Sequence, residues 1–163
     1  TGIVSFINFN PWRHNNAGTQ YNNFYNISYN SVLDFVSNVA PTTTKIYQNI
    51  ALESTDIWEV DITTRNGQRT NVNLVDFTGG GNFVWEEGHG TKENVHHAAI
   101  MGDLNTPNMI SPNMAKIEGD RMRDTSSTFR LILPEPASQQ ENVLFSVKIG
   151  FTPSGSPNLL GNQ

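Results

Sequence analysis

The chain has 163 residues, 36% of them apolar and 15% charged, with a formal net charge of −5. Such a length suits one domain, or one domain with long arms, around a modest core, and the low charge leaves Asn, Thr, Ser, Gln and Gly to supply the polarity. The acidic balance gives no general electrostatic reason to bind nucleic acid tightly, the absence of cysteine excludes disulfides and thiolate metal sites, and no apolar run approaches membrane-spanning length.

In chain order, residues 3–9 form an apolar strand candidate, too short and unflanked for a signal peptide. Thr1 is not an initiator Met, so a fragment, a processed product or a trimmed piece of a longer chain is expected. Residues 10–18 read as a loop opened by Asn10-Pro11. Tyr21, Phe24, Tyr25 and Tyr29 follow in an Asn-rich segment without a clean period. Residues 30–37 have strand propensity in Val32, Phe35 and Val36.

Residues 45–54 alternate, which places Ile46, Gln48, Ile50 and Leu52 on one face. Residues 57–64 set Trp58, Val60 and Ile62 against Glu59, Asp61 and Thr63, and Asn66-Gly67 marks a tight hairpin turn into a strand over 70–77. Gly79, Gly80 and Gly81 make a bend, and short strands are expected at 83–85 and 95–101. Residues 104–112 read as loop, and 114–123 as the one helical turn. Residues 127–133 and 142–152 close the pattern as a hairpin with a loose, proline-bearing loop. In the last strand Val143, Phe145, Val147, Ile149 and Phe151 fall at spacing two and are expected on one buried face.

Short strands at roughly 8–12-residue spacing predict an all-β fold, an antiparallel β-sandwich or barrel-like domain with an extended N-terminal arm. We divide the chain into an arm with edge strands over 1–40, the antiparallel domain over 41–154, and a tail over 155–163.

The candidate chemical constellations are thin. His89 and His96 with a carboxylate would be needed for a metal, yet neighbouring His96 and His97 on a strand face opposite ways. Gly79–Gly81 lacks a phosphate-binding lysine and opens no helix. Glu86 and Glu87 are sequence neighbours, a poor basis for the opposed carboxylates of a glycosidase. Arg121, Arg123 and Lys116 are interleaved with Glu118, Asp120 and Asp124, which suits a salt-bridged loop better than a nucleic-acid patch. The reading is therefore no catalytic residue, no metal and no cofactor. Trp58 and Trp85 suit the core, whereas Trp12 in its loop, with Tyr21, Phe24 and Tyr25, suits an interface.

Several short motifs carry a resemblance. Glu118-Gly119-Asp120-Arg121-Met122-Arg123, then the strand 128–133, then 143–154 ending Phe151-Thr152-Pro153-Ser154, resemble the end of large structural proteins of tailed bacteriophages. Tyr29-Asn30-Ser31-Val32-Leu33-Asp34-Phe35-Val36 and Lys45-Ile46-Tyr47-Gln48-Asn49-Ile50 are similar to two of their strands. Glu87-Gly88 with Ala98-Ala99-Ile100, and Leu104-Asn105-Thr106-Pro107-Asn108, resemble a further strand element and a turn. The pattern departs at His97, where a tyrosine is expected, at Asp124, where a glycine is expected, and in a local expansion over 86–96.

The order of these motifs resembles the muzzle or nozzle proteins at the tail end of crAss-like podoviruses. The resemblance implies a virion structural protein of the phage tail. It would assemble in a ring with copies of itself and other tail proteins around the DNA-ejection channel, with genomic DNA passing nearby without specific binding. It carries no catalytic residues across. The alternatives are a receptor- or carbohydrate-binding module at the tail tip, and another head-tail neck or capsid-decorating virion protein.

Overall fold

The computed structural model describes residues 4–8, 10–13, 23–25, 27–73, 76, 90–92, 95–134 and 142–154. In chain order its strands are β1 (Val4–Ile7), β2 (Asn10–Arg13), β3 (Asn23–Phe24), β4 (Ile27–Ser28), β5 (Ser31–Ser37), β6 (Lys45–Ser54), β7 (Glu59–Thr64), β8 (Arg69–Val72), β9 (Gly90–Lys92) and β10 (Val95–Ala99). Helix α1 (Pro112–Glu118) follows, then β11 (Arg123–Asp124), β12 (Ser127–Leu133) and β13 (Leu144–Pro153). Every pairing between these strands is antiparallel, so the expected all-β class holds.

Strand β6 organises the first sheet. It takes β13 along one edge, and β10 and then β11 along the other, with β9 outside β10. The second sheet runs β5-β12-β7-β8. One apolar cluster joins the sheets: Tyr47, Ile50 and Leu52 from β6, Ala98 from β10, Val60 and Ile62 from β7, and Phe129, Leu131 and Leu133 from β12. Phe129 is the hinge of this core. Its ring stacks on Phe35 at 5.4 Å and meets Tyr47 edge-on at 5.9 Å, geometries that aromatic quadrupoles favour. Trp58 joins the same cluster, as its alternation with Val60 and Ile62 predicts.

The expected closing hairpin is overturned. β12 pairs with β5 and β7, whereas β13 pairs with β6 in the other sheet. The chain therefore crosses from one sheet to the other between β12 and β13.

Two irregularities then reset which side chains are buried. Between Leu144 and Ser146 the β13 register slips against β6, leaving Phe145 as the extra residue. Leu144 therefore packs on the core while Phe145 is 62% exposed, contrary to simple alternation. The second slip leaves Gln48 unopposed, because Gly150 pairs with Asn49 and Phe151 with Tyr47. Tyr47, rather than Ile46 and Gln48, accordingly shares the core face with Ile50 and Leu52. A bulge puts two residues opposite one and shifts every later side chain to the other face.

Two local readings also change. Residues 10–13 are strand, not loop: Asn8 takes φ 50°, a left-handed angle that Asn tolerates, and turns β1 back onto β2. The helix starts at Pro112 rather than 114 and stops at Glu118, well short of 123. Ser111 Oγ accepts a hydrogen bond from the Met114 N–H at 3.2 Å, and proline occupies the first turn, where a missing N–H costs nothing. Gly119 ends the helix, its N–H donating to the Ala115 carbonyl at 2.9 Å.

The segment around α1 is bound to the β7–β8 hairpin. The buried Asp103 carboxylate accepts from the N–H groups of Arg69 at 2.8 Å and Asn105 at 3.0 Å. Thr106 Oγ1 donates to the Asp103 carbonyl at 2.7 Å and accepts from the Asp120 N–H at 2.9 Å. These bonds tie the Leu104–Pro107 turn to the Gly119-Asp120 turn, so two of the quoted motifs form one joint. Lys116 adds an ion pair to Asp76 at 2.9 Å.

Candidate assembly surface

Apolar side chains left in solvent are the feature that most needs explaining. On β1, Val4 is 53% and Phe6 72% exposed. On β5, Val32 is 53% and Val36 61% exposed. Ile110, just before the Ser111 cap, is nearly fully exposed, and Ile117 on α1 is open as well. β5 is the clearest case: its inner face carries Leu33 and Phe35, its outer face Val32 and Val36. A strand apolar on both faces is normally covered on both, and that double pattern in 30–37 is the sequence signal by which this surface can be recognised.

On the outer face, Arg130 makes a bidentate pair with Asp34, at 2.8 and 3.0 Å. The hydrogen bond from Arg130 to Asp34, with the nearby negative charge, raises the arginine pKa above its ordinary value. Both side chains are about half exposed, so the pair adds little stability. It does neutralise the one acidic side chain on β5.

The four residues expected at an interface fall at the N-terminal end. Trp12 lies in β2 opposite Ser5, and Ser5 Oγ stands 2.8 Å from the Tyr25 hydroxyl. Tyr25 holds φ 56° in the turn between β3 and β4. Phe24 precedes it in β3, paired with Ile27. Ser5 thus links the two hairpins: its backbone pairs with Trp12 and its hydroxyl meets that of Tyr25. Tyr21 lies outside the described residues.

The other candidates separate. His96 is buried in β10 with Nε2 3.3 Å from the Ser54 carbonyl oxygen, while His97 faces outward. His89, Glu86, Glu87, Trp85 and Gly79–Gly81 lie outside the described residues. Among the described residues no three His, Asp or Glu side chains gather in a metal-holding group, and no helix is long and apolar enough to cross a membrane.

The basic cluster splits as well. Lys116 turns to Asp76, and Asp124 is buried, accepting from the Asn66 N–H at 2.8 Å. Arg121 and Arg123 line an open cleft of about 410 Å³ with Ile46, Gln68 and Asp120. Gln68 holds that wall, donating to the Arg121 carbonyl and accepting from the Arg123 N–H. Arg123 also donates to Ser154 Oγ at 3.1 Å.

Among the described residues Lys45 is a fully inaccessible basic side chain. Its ammonium donates to the carbonyls of Ala40, Thr43 and Thr125 and stands 5.7 Å from the centre of the Phe151 ring. The lysine that opens the quoted Lys45–Ile50 motif is therefore a structural strut joining β6, the preceding turn and β13.

The family model for the Crassvirus muzzle protein C-terminal domain matches residues 19–103. The chain belongs to this family. Membership gives it a structural role in a phage virion and points away from enzymatic work. No curated protein matches the chain. The matched stretch contains β3 to β10, and with them the Lys45 strut and the apolar β5 surface. The motifs at 104–108, 118–123 and 143–154 lie beyond it, although β12 and β13 complete both sheets.

Proposed function

We propose that this chain is an assembly domain of the tail muzzle or nozzle, forming a ring with copies of itself and with other tail proteins around the DNA-ejection channel. The observation that carries this reading is the family match over 19–103. The exposed apolar residues on β1, β5 and β13 support it, since buried contact area is what an assembly part must offer. The net charge of −5 suits a channel wall past which DNA moves without sticking. Trp12, Tyr21, Phe24 and Tyr25 are assigned to contacts between subunits, as parts of an N-terminal arm.

Heterologous contacts between copies close into rings when the rotation permits. The test is the mass of the isolated chain in solution by light scattering over a concentration series. Concentration-dependent oligomers are expected. A stable, folded monomer at every concentration overturns the reading, and a map of the virion locating the chain away from the channel overturns its placement.

A further inference from the structure

We infer that the cleft holding Arg121 and Arg123 receives the carboxylates of Glu59 and Asp61 from a second copy of this chain; the inference rests on the assembly reading above. Both arginines are exposed, and both line the open cleft of about 410 Å³ with Ile46, Gln68 and Asp120. Their backbone is fixed from two sides. Gln68 bonds the Arg121 carbonyl and the Arg123 N–H, and Arg123 pairs with Ile46 across β11 and β6. Arg123 gives one side-chain N–H to Ser154 Oγ. Among the described residues neither guanidinium makes an ion pair, not even with Asp120. Two planar donor forks held in one cleft without a charged acceptor suit carboxylates from outside.

The chain itself supplies them, with 15 Asp and Glu against 10 Lys and Arg. Among the described residues most carboxylates are hydrogen-bonded, paired or buried. The exceptions are Glu59, Asp61, Glu118 and Asp120, and the last two adjoin the cleft's own arginines in sequence. Glu59 and Asp61 alternate with the buried Val60 and Ile62, so they face outward from the second sheet. Ile46 and Arg123 belong to the first sheet. The two surfaces of one copy face different ways, and their match requires a second copy.

The register puts Asp61 beside Arg130 and Glu59 beside Ile132. Arg130 is already held by Asp34, and Arg69 stands one row along, opposite Thr63. Val32, opposite Ile132, and Val36 are exposed on this same outer face. One contact would cover these valines together with the acids.

A DNA phosphate is a poorer occupant. Asp120 within the cleft and the net charge of −5 both oppose a polyanion. A cleft on one copy seated on a sheet face of the next is a head-to-tail contact, the kind that repeats around a ring.

Charge reversal in the full chain tests this. Arg121→Glu/Arg123→Glu and Glu59→Arg/Asp61→Arg should each lower the mass seen by light scattering to that of one chain. Mixing the two variants should restore the oligomer, because each keeps one natural surface and the reversed surfaces match each other. Variants that assemble alone as the natural chain does overturn the inference and leave the assembly reading intact, as does a mixture that stays monomeric. Should circular dichroism show a variant unfolded, the natural chain decides. Its oligomers should dissociate as NaCl is raised from roughly 0.05 to 1 M, over which the screening length falls several-fold, and oligomers indifferent to salt overturn the inference. Duplex DNA that binds the natural chain and not Arg121→Glu/Arg123→Glu assigns the cleft to phosphate and overturns it as well. A natural chain that stays monomeric at every concentration overturns both readings.

Discussion

Phe151 lies opposite Tyr47, and the two rings meet edge-on with centroids 6.4 Å apart. The contact exists because Gln48 is bulged out of β6, which brings Tyr47 into line with Phe151 and with Ile149 opposite Ile50. The bulge at Phe145 does the converse at the other end of β13, turning a phenylalanine out of the core.

The first prediction follows from that outward turn. Phe145→Ser should change stability by less than about 0.5 kcal/mol, as surface substitutions do. Leu144→Ala, on the half-buried side chain packed against the core, should cost about 1–2 kcal/mol. Urea denaturation midpoints of the two variants check the order, and strict alternation predicts the reverse.

Lys45 gives a second. Lys45→Met keeps the aliphatic length but leaves the carbonyls of Ala40, Thr43 and Thr125 without the ammonium that serves them. A loss on the order of 3 kcal/mol is expected, since buried acceptors without donors are costly. Thermal unfolding measures it. An unchanged midpoint would show that the carbonyls find water instead.

Tyr47 gives a pH dependence. Its hydroxyl is buried beside the Ser127 and Ser37 side chains, with no partner in good hydrogen-bonding geometry among the described residues, and burial pushes its pKa above the ordinary 10.0. A folded-state value raised above the unfolded one favours the protonated, folded form. The contribution is full below about pH 10 and is lost as pH rises through the folded value. Tyr47→Phe should equal or exceed the natural chain in stability at neutral pH, because it removes an unsatisfied polar atom, and should lose less stability on alkaline titration. Melting temperatures on both sides of pH 10 test this.

Two glycines should respond for different reasons. At Gly119 an added Cβ would lie 2.1 Å from the Ala115 carbonyl oxygen, so Gly119→Ala must displace the end of α1 and its joint with Asp103. Gly67, at φ 88°, has open space around it. Gly67→Ala should cost only the left-handed strain, about 1–2 kcal/mol, and Gly119→Ala clearly more. Hydrogen exchange at the Arg69 and Asn105 amides should rise selectively in the Gly119 variant, as both donate to Asp103.

A truncation after residue 103 would retain the family-matched stretch yet should not fold. β12 sits between β5 and β7, and β13 covers the long edge of β6. Without them β5 loses its seven-residue pairing with β12 and Phe129 is missing from the core. Circular dichroism with near-ultraviolet signals distinguishes a folded domain from a collapsed one.

Much of this architecture is legible residue by residue. The bounds of β6 and β12 coincide with the alternating runs at 45–54 and 127–133, because period-two burial writes itself directly into the order of side chains. The motif order also indicated the family. The helix start was recoverable from Ser111-Pro112, a capping signal that outweighs the weak apolar period of 114–123. The bulges at Phe145 and Gln48 were not recoverable, since a bulge alters facing without altering the sequence pattern on either side. The candidate surface was half visible: the aromatics at Trp12, Tyr21, Phe24 and Tyr25 stood out, and the run 30–37 is apolar on both faces, while only the structure showed that Val32 and Val36 stand in solvent.

By itself the sequence determined that the chain is β-rich and which of its clearly alternating runs become strands, consequences of local alternation and turn chemistry, and the order of its motifs showed which protein family it resembles. Only the tertiary structure decided that β12 and β13 belong to different sheets, that Lys45 is a buried strut, and that Val32 and Val36 of β5 stand in solvent. Those outcomes depend on competition among distant strands for the same apolar cover, and on backbone donors and acceptors finding partners across the whole fold. No local pattern encodes which competitor wins.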